Sequence, residues 1–253
     1  MRIENSFLLA PGIGEKTEKK LWKQGITHWD EVNESSLSEN KKQKIDSFLS
    51  KARKNLEVGN SVFFGSKLPK KSVWRMYRNF EESACFFDIE TTGLSPEKNK
   101  VTTVSLYRGG ESKTFVQGQD LTKENLQREF HKSKVLVSFN GKMFDQPFLE
   151  KNYDFTIDRP HIDLMHSCRR IGLTGGLKKI EKDLGVEREL EDIDGREAIK
   201  LWKKYEKHNN ENALEKLVRY NRYDAENLQQ VLELVHNRLE RRFFLKHVEN
   251  GNI

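Results

Sequence analysis

The sequence predicts an α/β fold, a mixed sheet flanked by helices, with a small helical domain in front of it. Three observations carry that prediction. Residues 1 to about 66 show helical periodicity and no strand pattern. From residue 83 onward, short runs rich in Val, Phe, Ile and Thr alternate with turn residues. Beyond the stretch KVLVSFN the pattern is helical almost to the end. Strands first and a helical tail afterwards fit a sheet covered by helices.

In the first segment, LLAPGIGEKTEKKLWKQGI precedes SSLSENKKQKIDSFLSKARKNLEVG. The second stretch places Ile45, Phe48, Leu49 and Ala52 on one helical face. Ser38 is suited to cap its start and Gly59 to stop it. This assigns residues 1–66 to an accessory helical domain. Residues 67–82, with Pro69 and many Lys and Arg, read as a basic connector, and 83–248 as the main domain. There ACFFDIE is the first strand, and VTTVSLY and KTFVQG form a hairpin around Gly109-Gly110-Glu111. LTKENLQREFHKS is a helix starting near Leu121 or Thr122. KVLVSFN is a short buried strand closed by the turn Asn140-Gly141. HIDLMHSCRRIG, GGLKKIEKDLG, GREAIKLWKKYEKH and the stretch from about Asn212 to Val248 read as helices.

The bulk properties exclude several classes. No apolar run is long enough to cross a bilayer, and no signal peptide is visible at the start. Two cysteines without a CxxC pair argue against a disulfide framework or a zinc site, and a reducing cytoplasm fits. The net charge of +6 suits an anionic partner, but Lys-rich solvated helix faces give the same balance. The motifs must therefore decide.

Three motifs carry chemistry. In Phe87-Asp88-Ile89-Glu90-Thr91-Thr92-Gly93-Leu94, strand alternation points Asp88 and Glu90 to one face and Phe87 and Ile89 to the other. Two acids side by side repel unless a cation lies between them. In Asn140-Gly141-Lys142-Met143-Phe144-Asp145, an acid follows a buried strand at the expected start of a helix. Taken alone, Asp145 reads equally as an acid favoured by a helix N-terminus. In Tyr220-Asn221-Arg222-Tyr223-Asp224, Tyr220 and Asp224 share one helical face at i and i+4.

DIETTGL, NGKMFDQPFL and YNRYD, in this order and spacing, resemble the three exonuclease motifs of the DEDD superfamily, a ribonuclease-H-like group that includes proofreading exonuclease domains and ribonuclease D. The YxxxD form of the last motif resembles the tyrosine subclass; Arg219 stands where the other subclass has His. HIDLMH, GGLKKIEKDLG and DGREAIKLW are similar to segments of YprB-like ribonuclease-H-like proteins and of the exonuclease domains of family-B DNA polymerases. The resemblance covers about residues 83–235.

The resemblance implies a metal-dependent 3′→5′ exonuclease acting on single-stranded ends, DNA ahead of RNA. It implies two ions, Mg²⁺ or Mn²⁺, which take oxygen ligands. Asp88, Glu90 and Asp224 would hold the ion that activates water. Asp88 would bridge to the second ion, and Asp145 would hold that one directly or through water. Tyr220 would position the water, since a phenol with a pKa near 10 is a poor base at neutral pH. The backbone of Thr91, Thr92 and Gly93 and the side chain of Leu94 would meet the terminal nucleotide. Asn140 and Phe144 would line the same pocket, although core packing explains Phe144 equally well. His161 and Asp163 suggest an extra contact with the site, yet Asp163 reads better as a helix cap. Cys85 and Cys168 read as small core residues.

Ala10-Pro11-Gly12-Ile13-Gly14 and the helix after it resemble a helix-hairpin-helix element. Such a hairpin turns backbone N–H groups toward a phosphate, and Lys16, Lys19 and Lys20 would add charge. The same hairpin could instead meet a protein partner. Trp74 and Tyr77 are suited either to stacking on bases or to a core. From this division, removal of residues 1–66 is expected to spare the chemistry and weaken nucleic-acid binding.

Overall fold

A computed structural model describes residues 1–188 and 193–249. Residues 189–192, inside the expected main domain, lie outside the described residues. The N-terminal segment contains α1 (Glu15–Lys23), α2 (Glu39–Glu57) and α3 (Ser61–Lys67). Ser38 and Gly59 bracket α2, whose Ile45, Leu49 and Ala52 are buried, as the periodicity requires. The next residues form a 3₁₀ turn over Lys70–Met76 and the short α4 (Tyr77–Phe80).

The sheet holds β1 (Ala84–Thr91), β2 (Val101–Arg108), β3 (Glu111–Val116), then, after α5 (Lys123–His131), β4 (Val135–Ser138). Past α6 (Asp145–Tyr153) comes a fifth strand, β5 (His161–Asp163), which leads into α7 (Leu164–Arg169). α8 (Leu177–Leu184), α9 (Gly195–His208), the long α10 (Glu211–Glu240) and α11 (Lys246–Glu249) complete the described chain. The five strands run in the order β3-β2-β1-β4-β5. β1, β2 and β3 pair antiparallel, while β4 and β5 run parallel to β1. This is the mixed, helix-flanked sheet expected from the sequence.

One strand was hidden in it. His161–Asp163 reads as the start of a helix, but it extends the sheet edge, pairing with Leu136–Ser138. Its three residues carry two polar side chains, so no strand periodicity is visible.

The alternation of β1 sorts the core into two layers. Cys85, Phe87 and Ile89 pack with Leu126, Phe130 and Phe148 of α5 and α6. Ala84 and Phe86, on the other face, join a cluster with Val231, Leu232 and Val235 of α10. That second cluster also contains Ile3, Phe7, Trp22, Trp29, Ile45 and Phe64, so the N-terminal segment and the sheet share a continuous core. Trp22 meets Phe244 edge-on at 5.1 Å between ring centroids.

The segment expected to be a basic connector is itself core. Val73, Trp74, Met76, Tyr77 and Phe80 are buried, and so is Arg75. Trp74 and Tyr77 are therefore packing residues and have no face for a base. Arg75 is accommodated by Glu18, whose carboxylate lies 2.8 Å from the guanidinium and also accepts from the backbone N–H groups of Phe7 and Leu8. A buried, hydrogen-bonded pair of this kind joins two segments at a fixed geometry. Cys85 and Cys168 are free and buried, in accord with a core role.

Candidate metal centre

The site forms where the even-numbered face of β1 meets α10. Asp88 and Glu90 share that face, two residues beyond Phe86, at the point where the apolar layer ends. Asp224 approaches from α10, which packs across β1 and β2. Oxygen atoms of Asp88, Glu90 and Asp224 lie within 4.8 Å of one another. Asp145 begins α6 and is buried. It is close enough for its charge to raise the pKa of both Asp88 and Glu90. Sequence order thus brings four acids from three elements to one place.

The loop that delivers Asp145 is tightly specified. Asn140 takes a left-handed conformation, with φ of 63°. A Cβ on Gly141 would sit 2.0 Å from Ser138 Oγ and 3.3 Å from the Asp145 carboxyl carbon, so only glycine fits there. Asp163 holds the loop from below: one oxygen accepts from Asn140 N–H at 3.0 Å and the other from Lys142 N–H at 3.2 Å. The same carboxylate caps α7 through Met165 N–H. Asp163 is thus a cap and a loop clasp, and its charge also contributes to raising the Asp145 pKa. His161 hydrogen-bonds Ser138 Oγ at 2.7 Å, and burial lowers its pKa to about 3, so it packs as a neutral ring.

Electrostatics mark the cluster as cation-seeking. Desolvation, and then the charges of Asp224 and Asp145, raise Asp88 and Glu90 well above the usual carboxylate range. Desolvation pushes Asp145 up to about 7. Asp224 is raised less, because Arg188 opposes its desolvation. Tyr220, one turn earlier on α10, donates a hydrogen bond to Asp224, and burial next to these carboxylates raises its phenol pKa. Hard divalent cations take oxygen donors, so this set suits Mg²⁺ or Mn²⁺. Asn221 Oδ1 adds a buried oxygen with no hydrogen-bond partner, while Asn221 Nδ2 donates to Asp88 Oδ2 at 2.7 Å.

Two residues escape sequence reasoning. Asn221 lies inside the third motif but one position past Tyr220, so helical spacing with Asp224 does not flag it. Arg188 bridges Glu181 and Asp224 through its two terminal nitrogens, and Asn227 Nδ2 in turn donates to Glu181 at 3.0 Å. That bracket needs a loop to close over the helix, which no local pattern reveals. Leu94, on the loop after β1, is 84% exposed, and Met143, on the loop between β4 and α6, is 71% exposed. Thr91 Oγ1 donates to Gly93 O at 2.6 Å and shapes the turn before Leu94. Phe144 packs on Phe148 at 4.8 Å between centroids.

The family model of the RNase_H superfamily matches residues 85–236, which spans β1 through most of α10 and includes all four acids. The chain belongs to the RNase_H superfamily. No curated protein matches it in sequence. Among solved structures, Brucella melitensis NrnC bound to pGG is 19% identical, with a TM-score of 0.48, covering 69% of this chain and 80% of that one. The same protein with bound Mg²⁺ is 21% identical, with a TM-score of 0.48 and coverage of 68% and 81%. The family B DNA polymerase from the hyperthermophilic archaeon Pyrobaculum calidifontis is 16% identical, with a TM-score of 0.46 over 66% of this chain. This RNase_H-superfamily chain spans only 29% of that polymerase. Among its described residues, no helix is long and apolar enough to cross a membrane.

The electrostatics of the site fix a pH dependence of stability. The Asp145 pKa rises from an ordinary 3.8 to about 7 on folding, so the fold favours its neutral form. Stability from this source is complete below pH 4 and is lost as pH rises through about 7. Thermal melting in chelator is therefore expected to fall across that window. Added Mn²⁺ should reverse the trend, because the cation binds the ionised carboxylates. A metal-free melting temperature that rises from pH 5 to pH 7.5 would contradict the reading.

Proposed function

We propose that the chain is a metal-dependent 3′→5′ exonuclease of the DEDD tyrosine subclass, hydrolysing phosphodiesters at single-stranded ends, DNA ahead of RNA. The observation that carries this reading is the convergence of Asp88, Glu90 and Asp224 to within 4.8 Å, with Asp145 beside them and Tyr220 one turn from Asp224. Two Mg²⁺ or Mn²⁺ ions held by these four carboxylates would supply the charge that activates water and neutralises the leaving oxygen.

The side chains around the carboxylates have separable tasks. Tyr220 keeps its proton, because its pKa lies above the usual phenol value, so it serves as a hydrogen-bond donor that positions water and not as a base. Arg188 and Tyr220 together fix the orientation of the Asp224 carboxylate. The Thr91-Thr92-Gly93 turn and Leu94 meet the terminal nucleotide, with Asn140, Phe144 and Met143 on the opposite loop. α1, which follows the hairpin, offers Lys16 and Lys20, both exposed, to a strand or to a protein partner. A 3₁₀ turn, Ile3–Asn5, precedes that hairpin and α1 follows it.

The decisive assay uses single strands of DNA and RNA labelled at the 5′ end, with Mg²⁺, Mn²⁺ or chelator. A metal-dependent ladder shortening from the 3′ end on DNA is the expected result. A faster ladder on RNA makes the enzyme an exoribonuclease. Internal cuts, or binding without cleavage, overturn the exonuclease reading. In the same assay, Tyr220→Phe is expected to bind metal and substrate normally and to lose roughly 10²-fold in kcat, with little change in KM. Wild-type rates in that variant would mean the phenol merely packs.

A further inference from the structure

We propose that a second site, a basic groove walled by the N-terminal segment, binds the phosphodiester backbone of the single strand whose end lies at the carboxylates. The inference rests on the nuclease reading above and extends it to a substrate contact made in part by residues that precede the region matched by the family model. The groove consists of two adjoining hollows, of about 400 Å³ and about 320 Å³, between residues 62–74 and the β5–α7 unit. Lys70, Val73, Lys142 and His161 line both hollows, so they form one continuous channel.

Charge is the first argument. Lys70, Lys71, Lys142 and Arg170 line the channel, and Arg159 stands at its far end. Neither Lys70 nor Lys142 has an ion pair or hydrogen bond through its side chain among the described residues. Lys142 is half-buried, and burial, aided by the nearby Lys70, lowers its pKa against the pull of Asp163. Exposed Lys70 and half-buried Lys142, neither of them paired, together give the channel a positive potential that attracts an anion. Glu15 pairs with Lys71, but among the described residues no acid pairs with Lys70 or Lys142. Asp163 spends its oxygens on the N–H groups of Asn140, Lys142 and Met165, and Asp158 lies 3.8 Å from Arg159.

Shape and position are the second argument. Val73, Trp74 and Ile162, all buried, form an apolar floor beneath these cations. Lys142 lies on the loop between β4 and α6, two residues after Asn140 and three before Asp145, which places one wall of the channel on the segment that delivers Asp145. A strand with its end at the metal centre and its backbone along Lys142 and Lys70 would cross from the sheet onto the N-terminal segment. This gives the Lys-rich segment a nucleic-acid role that does not depend on the hairpin before α1.

The test measures binding, not cleavage, so it stands apart from the nuclease assay. A fluorescent oligothymidylate of about twelve nucleotides, within the span that such grooves cover, is titrated in chelator at several salt concentrations. In Lys70→Gln/Lys142→Gln, affinity should fall, and the slope of log K against log salt should shrink by about 1.4, at about 0.7 per lost contact with a single strand. Lys203→Gln/Lys204→Gln, which removes the same charge from the exposed face of α9, should leave the slope unchanged. Equal effects of the two double variants, or no binding by the wild type, would overturn the proposal. So would polyglutamate competing as well as the oligonucleotide, which would make the channel a site for acidic polypeptide.

Discussion

Asp88→Asn is expected to abolish hydrolysis and to leave a protein that melts higher than wild type in chelator. The two effects share one cause. Asp88 is desolvated and faces the charges of Asp224, Asp145 and Glu90, so its carboxylate is destabilising until a cation arrives. Asparagine removes that repulsion and keeps an oxygen that can face Asn221 Nδ2, now bonded to Asp88 Oδ2 at 2.7 Å. Metal affinity should collapse, and with it several kcal/mol of charge stabilisation, a rate loss of about 10³ or more. Calorimetric titration with Mn²⁺, thermal melting and single-turnover kinetics separate the three consequences. An Asp88→Asn protein that still binds Mn²⁺ tightly and cleaves would remove Asp88 from the centre.

Removal of residues 1–66 should unfold the protein. This reverses the expectation from sequence, which treats the segment as an accessory domain beside an independent catalytic one. Ile3, Phe7, Trp22, Trp29, Ile45, Leu49 and Phe64 belong to the same core cluster as Phe86, Val137 and Val231. Burying each such side chain contributes about 1.5–3 kcal/mol, while a whole domain is stable by only about 5–15 kcal/mol. Truncation would also leave Arg75 buried without Glu18, a loss of about 3–5 kcal/mol in comparable buried pairs. The truncated chain should lack a cooperative melting transition. A soluble fragment with a sharp transition and intact metal binding would show that the shared core is dispensable.

The contrast between these two predictions shows what the sequence made legible. Asp88 and Glu90 could be assigned to one face because strand alternation is a local rule, and the structure places them together with Phe87 and Ile89 behind. Asp145 at the head of α6 and the Tyr220–Asp224 pairing on α10 were legible for the same reason. The connector was misread because its Lys and Arg content masked six buried apolar residues, Leu68 among them, and because Arg75 is neutralised by Glu18, 57 positions away in the chain. β5 was missed because three residues are too few to show a period. The Arg188 bracket on Asp224 depends on a contact 36 residues apart, which only the folded chain supplies. Local patterns thus located the acids, and long-range packing decided what supports them.

The most direct test of the metal centre is anomalous diffraction from crystals grown with Mn²⁺. The account expects peaks among Asp88, Glu90, Asp145 and Asp224, about 2.1–2.2 Å from carboxylate oxygens. An ion bound elsewhere, or these four carboxylates spread more than roughly 10 Å apart, too far to share ligands, would contradict it.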